Sequence, residues 1–149
     1  MKRLKIDADK CNGCLNCNIA CMQAHRADAE GSIYDLNLLD PSNESRNTIL
    51  LDAHGRYIPL FCRHCDSPDC AAACMSGALT KDPVSGHVLY DVNRCAKCFM
   101  CVLNCRYGVL KQDRVSGSFV VKCDFCADAG SNPNCAKACA NKALYVEEV

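Results

Sequence analysis

The chain has 149 residues, a formal charge of zero from 17 basic and 17 acidic side chains, few aromatics and no tryptophan, which bounds it to one compact body or two small ones. Balanced charge gives no reason for a nucleic-acid or polybasic membrane contact, and no run of 18 apolar residues is present to form a transmembrane helix. Its 16 cysteines exceed the ~8–10% level that marks a scaffold built on cysteine rather than on a large apolar core.

Residues 1–10 are charged throughout, with no apolar run and no twin-arginine pair, so no export signal is expected and the sequence places the chain in the cytoplasm. There disulfides are rare and clustered cysteines bind metal. Leu4 and Ile6 alternate with charged residues over 3–7, which predicts a short strand leading into the first cysteine set. That set, Cys11, Cys14, Cys17 and Cys21, has gaps of two, two and three residues. An iron–sulfur cube needs three thiolates in quick succession and a fourth from elsewhere, and this spacing supplies them. The last two cysteines lie four residues apart, about 6 Å along a helix axis, so one helical turn reaches two clusters.

Forty residues then pass before Cys62. Residues 35–47, rich in Asn, Asp and Ser and containing Pro41, read as an irregular surface loop. Residues 48–53 and 56–61 flank His54-Gly55 as a hairpin. So long an insertion is either a docking surface or a cover for cluster edges.

The second set, Cys62, Cys65, Cys70 and Cys74, widens the middle gap to four residues. Residues 78–81 and 87–91 bracket Asp82-Pro83-Val84-Ser85-Gly86 as two strands and a turn. The third set, Cys95, Cys98, Cys101 and Cys105, repeats the first spacing without change. Residues 109–113 and 118–122 then repeat the hairpin around Val115-Ser116-Gly117. The fourth set is looser: Cys123 and Cys126, then Cys135 and Cys139. Residues 143–146 form a closing apolar segment, able to pair with the first strand. The repeating unit is a cysteine loop, a helical turn and a hairpin.

Four sets of four use every cysteine. If each set gives three thiolates to one cluster and its fourth to a neighbour, and the terminal strands pair, the simplest solution nests the middle sets inside the outer ones. Cys11, Cys14 and Cys17 then join Cys139, and Cys123, Cys126 and Cys135 join Cys21. Cys62, Cys65 and Cys70 join Cys105, and Cys95, Cys98 and Cys101 join Cys74. The expected fold is α+β, with four [4Fe-4S] clusters in two ferredoxin-like two-cluster modules, the second nested within the first. The outer module spans 1–61 plus 106–149 with an insertion at 22–61; the inner spans 62–105.

Zinc also accepts Cys-x-x-Cys pairs, but zinc ribbons separate two pairs by a long spacer, whereas here three cysteines crowd into seven residues in two sets. A zinc-stabilised interaction module is the alternative from another class. A disulfide framework is excluded by the missing export signal. His64, between Cys62 and Cys65, can donate to a cluster sulfur and raise its potential but is not needed as a ligand. His25, His54 and His87 read as surface imidazoles in loops. Lys97 and Arg106, beside cysteines, read as solvated side chains. No glycine-rich nucleotide loop, nucleophile elbow or isolated carboxylate pair is present, so no catalytic residue is expected. Clusters wholly ligated by thiolate pass electrons, and the sequence predicts an electron carrier.

The opening motif Asp-Lys-Cys-Asn-Gly-Cys-Leu-Asn-Cys-Asn-Ile-Ala-Cys and the second, Cys-Arg-His-Cys-Asp-Ser-Pro-Asp-Cys-Ala-Ala-Ala-Cys-Met-Ser-Gly-Ala-Leu ending at Leu79, resemble the four-cluster ferredoxin subunits that accompany molybdopterin oxidoreductases, formate-linked hydrogenases and carbon monoxide dehydrogenases. The likeness covers nearly the whole chain and implies the same nested pairing. Its short length and the segments Cys-Met-Ser-Gly-Ala and Cys-Arg-Tyr-Gly-Val look most like the small ferredoxin subunit of carbon monoxide dehydrogenase. That resemblance implies a partner dehydrogenase and a downstream hydrogenase or flavin-dependent nicotinamide oxidoreductase. The broader resemblance implies instead the electron subunit of a formate dehydrogenase, hydrogenase or molybdopterin oxidoreductase. The family's proline after each fourth cysteine is absent: Met22, Met75, Arg106 and Ala140 stand there. Shielding of the clusters, and hence their potentials, differs accordingly.

Overall fold

The structure, a computed structural model, describes residues 1–26 and 31–149; residues 27–30, inside the predicted insertion, lie outside the described residues. In chain order the elements are β1 (Lys2–Ile6), α1 (Asn16–His25), β2 (Thr48–Leu51), β3 (Tyr57–Leu60), α2 (Asp69–Ala72), β4 (Leu79–Lys81) and β5 (Val88–Tyr90). They continue with α3 (Met100–Leu103), β6 (Lys111–Gln112), β7 (Val120–Val121), α4 (Asn134–Lys137) and β8 (Leu144–Glu148).

The helices serve the cysteines. α1 carries Cys17 and Cys21, while α2, α3 and α4 are four-residue turns carrying Cys70, Cys101 and Cys135. Cys74, Cys105 and Cys139 follow just past each short helix. Extended Pro68 and Pro133 stand immediately before α2 and α4, where a missing N–H costs nothing. α1 packs against α4 and α2 against α3, which brings the first set to the fourth and the second to the third.

Every described sheet has two antiparallel strands. β1 pairs with β8 from Lys2↔Glu148 to Ile6↔Leu144, closing the chain's ends together as its apolar segments predict. Leu4 and Leu144 turn inward and are buried, because side chains alternate across a strand. The hairpins β2–β3, β4–β5 and β6–β7 form around the expected turns. Asp82 and Asp113 begin two copies of one turn: each carboxylate accepts the amide and hydroxyl of the serine three residues on, and each backbone carbonyl accepts the amide of the glycine after it. The predicted strands 109–113 and 118–122 shrink to two residue pairs. Beyond them the Asp113 carboxylate takes the Ser118 and Phe119 amides at 2.9 and 2.6 Å.

Two apolar cores result. One gathers Leu4, Cys17, Phe61, Phe125, Cys135 and Leu144; the other gathers Leu79, Val88, Cys101, Leu110 and Val120. Leu110 and Val120, which the sequence assigns to the outer module, pack on the inner core. Residues 35–47 are irregular as expected, but their last part is not surface loop: Asn43, Ser45 and Asn47 are buried. Asn47 donates to the Cys17 carbonyl at 3.3 Å and Asn18 to the Ser45 hydroxyl at 3.2 Å, so the loop seals the polar side of α1. Tyr34 and Leu39, by contrast, stand 94% and 91% exposed. Among the described residues no helix is long and apolar enough to cross a membrane.

Candidate metal centre

The residue before the second cysteine of every set has a left-handed backbone: Gly13 at φ 71°, His64 at 45°, Lys97 at 58° and Phe125 at 60°. Only the first is a glycine, and there the Tyr57 ring lies so close that a Cβ would meet its Cε1 at 2.2 Å. Left-handed residues in a tight loop turn successive amide N–H groups toward one point and make an anion-binding nest. Non-glycine residues pay about 1–3 kcal/mol each for that conformation, a strain that persists where surrounding structure over-determines it. Amides also reach sulfur directly: Arg46 to Cys21 at 3.2 Å, Leu79 to Cys74 at 3.4 Å and Phe125 to Cys123 at 3.4 Å.

All 16 cysteines are free thiols. One small cavity is lined by Cys11, Cys14, Cys17 and Cys139, and another by Cys21, Cys123, Cys126 and Cys135, with Cys62 in its wall. In the inner region burial raises the Cys65 and Cys70 thiols, and the neighbouring Cys62 and Cys105 raise both further. Burial likewise raises Cys101, next to Cys74 and Cys95. Cys14 and Cys98 are exposed.

Burial pushes Cys17 and Cys70 up to about 11 and Cys123 up to about 12. Thiolates at such places need a cation to hold their charge, and a coordinated thiol is deprotonated outright. Each of the two cavities gathers four or more thiols and the nests present N–H groups. His25 and Asn47 also line the fourth-set cavity, but His25 is engaged by the Cys21 carbonyl and Asp124, and the sulfur donors outnumber them, so these residues fit iron–sulfur cubes.

His64 is 1% exposed and is the centre of a buried seam. Its ring meets Phe125 edge-on at 5.5 Å and His87 at 4.9 Å. The Val88 N–H donates to its Nδ1 at 3.0 Å, which leaves the proton on Nε2, a buried donor without a protein partner among the described residues. Burial, then Lys122, hold this imidazole neutral, at about 2. Replacing Phe125 with Ala would empty the middle of the seam; a loss of about 3–5 kcal/mol is expected, read as a lower anaerobic denaturation midpoint at unchanged iron content.

Two imidazoles expected at the surface are not there. His87 is buried, stacked 4.2 Å from Phe125, with Nε2 at 3.2 Å from the Lys2 carbonyl. His25 ends α1, where its Nδ1 lies 2.8 Å from the Cys21 carbonyl and its Nε2 3.2 Å from Asp124. Burial works against its charge, but Asp124 and Cys21 outweigh it and raise His25 to about 9. Asp124 also pairs with Arg46 at 2.6 Å and stays well below the usual carboxylate range. This ion network braces the fourth cysteine loop against the first helix. His54 sits in its exposed turn as expected. Lys97 lies over the Phe119 ring at 4.7 Å, and exposed Arg106 pairs with Asp69 at 2.7 and 2.8 Å.

Sequence reasoning passed over the cations that gather outward carbonyls of the cysteine loops. Lys81 Nζ donates to the carbonyls of His64, Cys65 and Gly86 at 3.0, 2.7 and 2.6 Å, and Arg3 also reaches His64. Lys122 does the same for Val88 and Cys123. When amides turn inward, carbonyls turn outward and need donors; a lysine near a cysteine loop is the only signal the sequence offers.

The family described as a 4Fe-4S dicluster domain matches residues 53–149. The NADH-dependent phenylglyoxylate dehydrogenase subunit beta of Aromatoleum evansii is 32% identical over 141 residues, which cover 95% of this chain and 29% of that protein. The thiosulfate reductase electron transfer subunit PhsB of Salmonella typhi is 31% identical, over 93% of this chain and 71% of its own length. A chain in the structure of the active site complex BamBC of benzoyl coenzyme A reductase with 1,5 dienoyl-CoA superimposes with a TM-score of 0.54, at 29% identity, over 100% of this chain and 78% of that one.

Proposed function

This chain belongs to the 4Fe-4S dicluster domain family, and on that premise we propose that it relays electrons through four [4Fe-4S] clusters held by its 16 cysteines. Its cofactors are [4Fe-4S] clusters, and it is an iron–sulfur electron-transfer subunit of an oxidoreductase complex, not the catalytic subunit. The observation that carries the relay is the gathering of thiols from opposite ends of the chain, Cys139 with the first set and Cys21 with the fourth. The same logic assigns Cys105 to Cys62, Cys65 and Cys70, and Cys74 to Cys95, Cys98 and Cys101. Two nested modules follow, 1–61 plus 106–149 around 62–105, with the hairpin β6–β7 shared by packing.

Each α-helical turn then links two clusters within a module, and Cys62, in the wall of the fourth-set cavity, links the modules. The relay runs from the first-set cluster to the fourth, the second and the third. Exposed Cys14 and exposed Cys98 mark its two ends. An oxidised cube with four thiolates carries about −2, so the loaded protein is acidic and suits a partner with a basic rim.

The partner we propose is a carbon monoxide dehydrogenase, with a hydrogenase or flavoprotein as acceptor, in the cytoplasm. The segments at Cys74 and Cys105 support it. A second reading, the electron subunit of a reductase of the thiosulfate reductase kind, is favoured by the match to PhsB over 71% of that protein. Anaerobic purification with whatever partner holds the chain tests both. About 16 irons per chain, equal acid-labile sulfide and visible absorption bleached by dithionite are expected, and the catalytic partner identified by mass decides between the readings. Zinc without sulfide would sink the relay.

A further inference from the structure

Lys122 is 6% exposed and stands immediately before Cys123. Its Nζ donates to the Val88 carbonyl at 2.6 Å and to the Cys123 carbonyl at 2.7 Å. An ammonium has three donors, and the third has no acceptor among the described residues. Nor does any carboxylate of the described residues pair with Lys122, although every other cation bound in the seam has one within reach: Arg3 and Lys81 both address Asp66. A buried cation without an anion is costly, and two neutral carbonyls do not repay its lost hydration. Lys122 lines a cavity with Glu44, Asp113 and Asp124, whose carboxylates are held instead by Lys111, by the Ser118 and Phe119 amides, and by His25 and Arg46. Its charge also bears on the His64 and His87 imidazoles. A fold that keeps such a charge needs a negative body beside it.

Two such bodies are at hand under the relay reading, on which this inference rests. The two carbonyls that hold Lys122 belong one to each neighbourhood: Cys123 is in the fourth set, and Val88, whose N–H bonds the His64 ring between Cys62 and Cys65, packs in the core that Cys70 joins. Cys62, of the second set, already stands in the wall of the fourth-set cavity. The two middle clusters are thus neighbours of like charge, and one interior cation lies close to both. We infer that Lys122 is the built-in counter-ion of the two middle [4Fe-4S] clusters, offsetting their mutual repulsion and raising both reduction potentials relative to the outer pair.

The physical effect follows from charge. One-electron reduction takes each cube from about −2 to about −3, and a fixed cation nearby favours the more negative state. Lys122 acts on the electron's resting place and touches no substrate. The middle of the relay is then where an electron waits, and the exposed ends are where it arrives and leaves.

The test is potentiometry followed by electron paramagnetic resonance on the complete anaerobic protein, comparing wild type, Lys122→Met and Lys122→Arg. The methionine variant should lower two of the four potentials, leave the other two in place, and regain wild-type values when arginine restores the charge. Four unchanged potentials, or a uniform shift of all four, would overturn the inference. Should the methionine variant lose clusters, wild type and Lys122→Arg labelled with 15N-lysine decide: a nitrogen coupling to the reduced middle clusters that is present in wild type and lost in the arginine variant is expected, and no difference between the two overturns the proposal. Failure of the relay reading shows separately, as wild-type iron well below about 16 per chain.

Discussion

Chelating the iron from anaerobic protein is expected to abolish the cooperative unfolding transition, not merely to lower its midpoint. The described secondary structure is too small to stand alone. Every sheet has two strands, of two to five residues each, and an isolated two-stranded ladder is marginal in water. Three of the four α-helices have four residues, and α1 has ten, below the ~12–15 that an isolated helix needs. Five of the buried apolar residues, Cys17, Cys21, Cys62, Cys101 and Cys135, are cysteines whose sulfurs would lose their metal. Under the proposed pairing a ligand set joins residues as far apart as Cys11 and Cys139, so a cluster there would fasten ends that only the small core at Leu4 and Leu144 and the β1–β8 ladder otherwise hold. Circular dichroism of iron-free protein checks this; a sharp, native-like melt would contradict it, since small metal-dependent domains fold only when loaded.

The second large effect is crossed. Cys139→Ala should remove the cluster of the first cysteine set, and Cys21→Ala the cluster of the fourth, each with loss of about four irons. The cavities explain the exchange. Cys139 lines the one shared by Cys11, Cys14 and Cys17, while Cys21 lines the one shared by Cys123, Cys126 and Cys135. Iron analysis with magnetic resonance of each variant separates the two species. If Cys21→Ala instead eliminated the first-set cluster, the ligands would run in sequence order and the nested modules would fall.

Much of this was readable in one dimension because much of it is local. Cysteine spacing is set by the reach of one loop, and the Asp82 and Asp113 turns are written in five residues each. Pairing of β1 with β8 is nonlocal, but two short apolar segments flanking the cysteine sets made it legible. What was not readable depends on burial by remote segments. His25 looks like a surface residue until Asp124, 99 positions away, closes on it. His87 is covered by Phe125 and His64, and Asn47 by α1, with nothing in their neighbours to announce it. Lys122 reads as an ordinary charge before a cysteine. The left-handed backbones of Lys97 and Phe125 are equally silent, since glycine is the usual sign of that conformation.

The clasp made by β1 and β8 sets how the molecule bears mechanical load. Lys2 faces Glu148, so both chain ends leave from one end of an antiparallel ladder. Tension on those ends opens the ladder as a zip opens, pair after pair, instead of shearing its five pairs together. The force next arrives at Cys11 and Cys139, which line one cavity, and under the proposed pairing a cube between them would put the strain on metal–sulfur bonds. Everything between those two residues stays slack while that rivet holds.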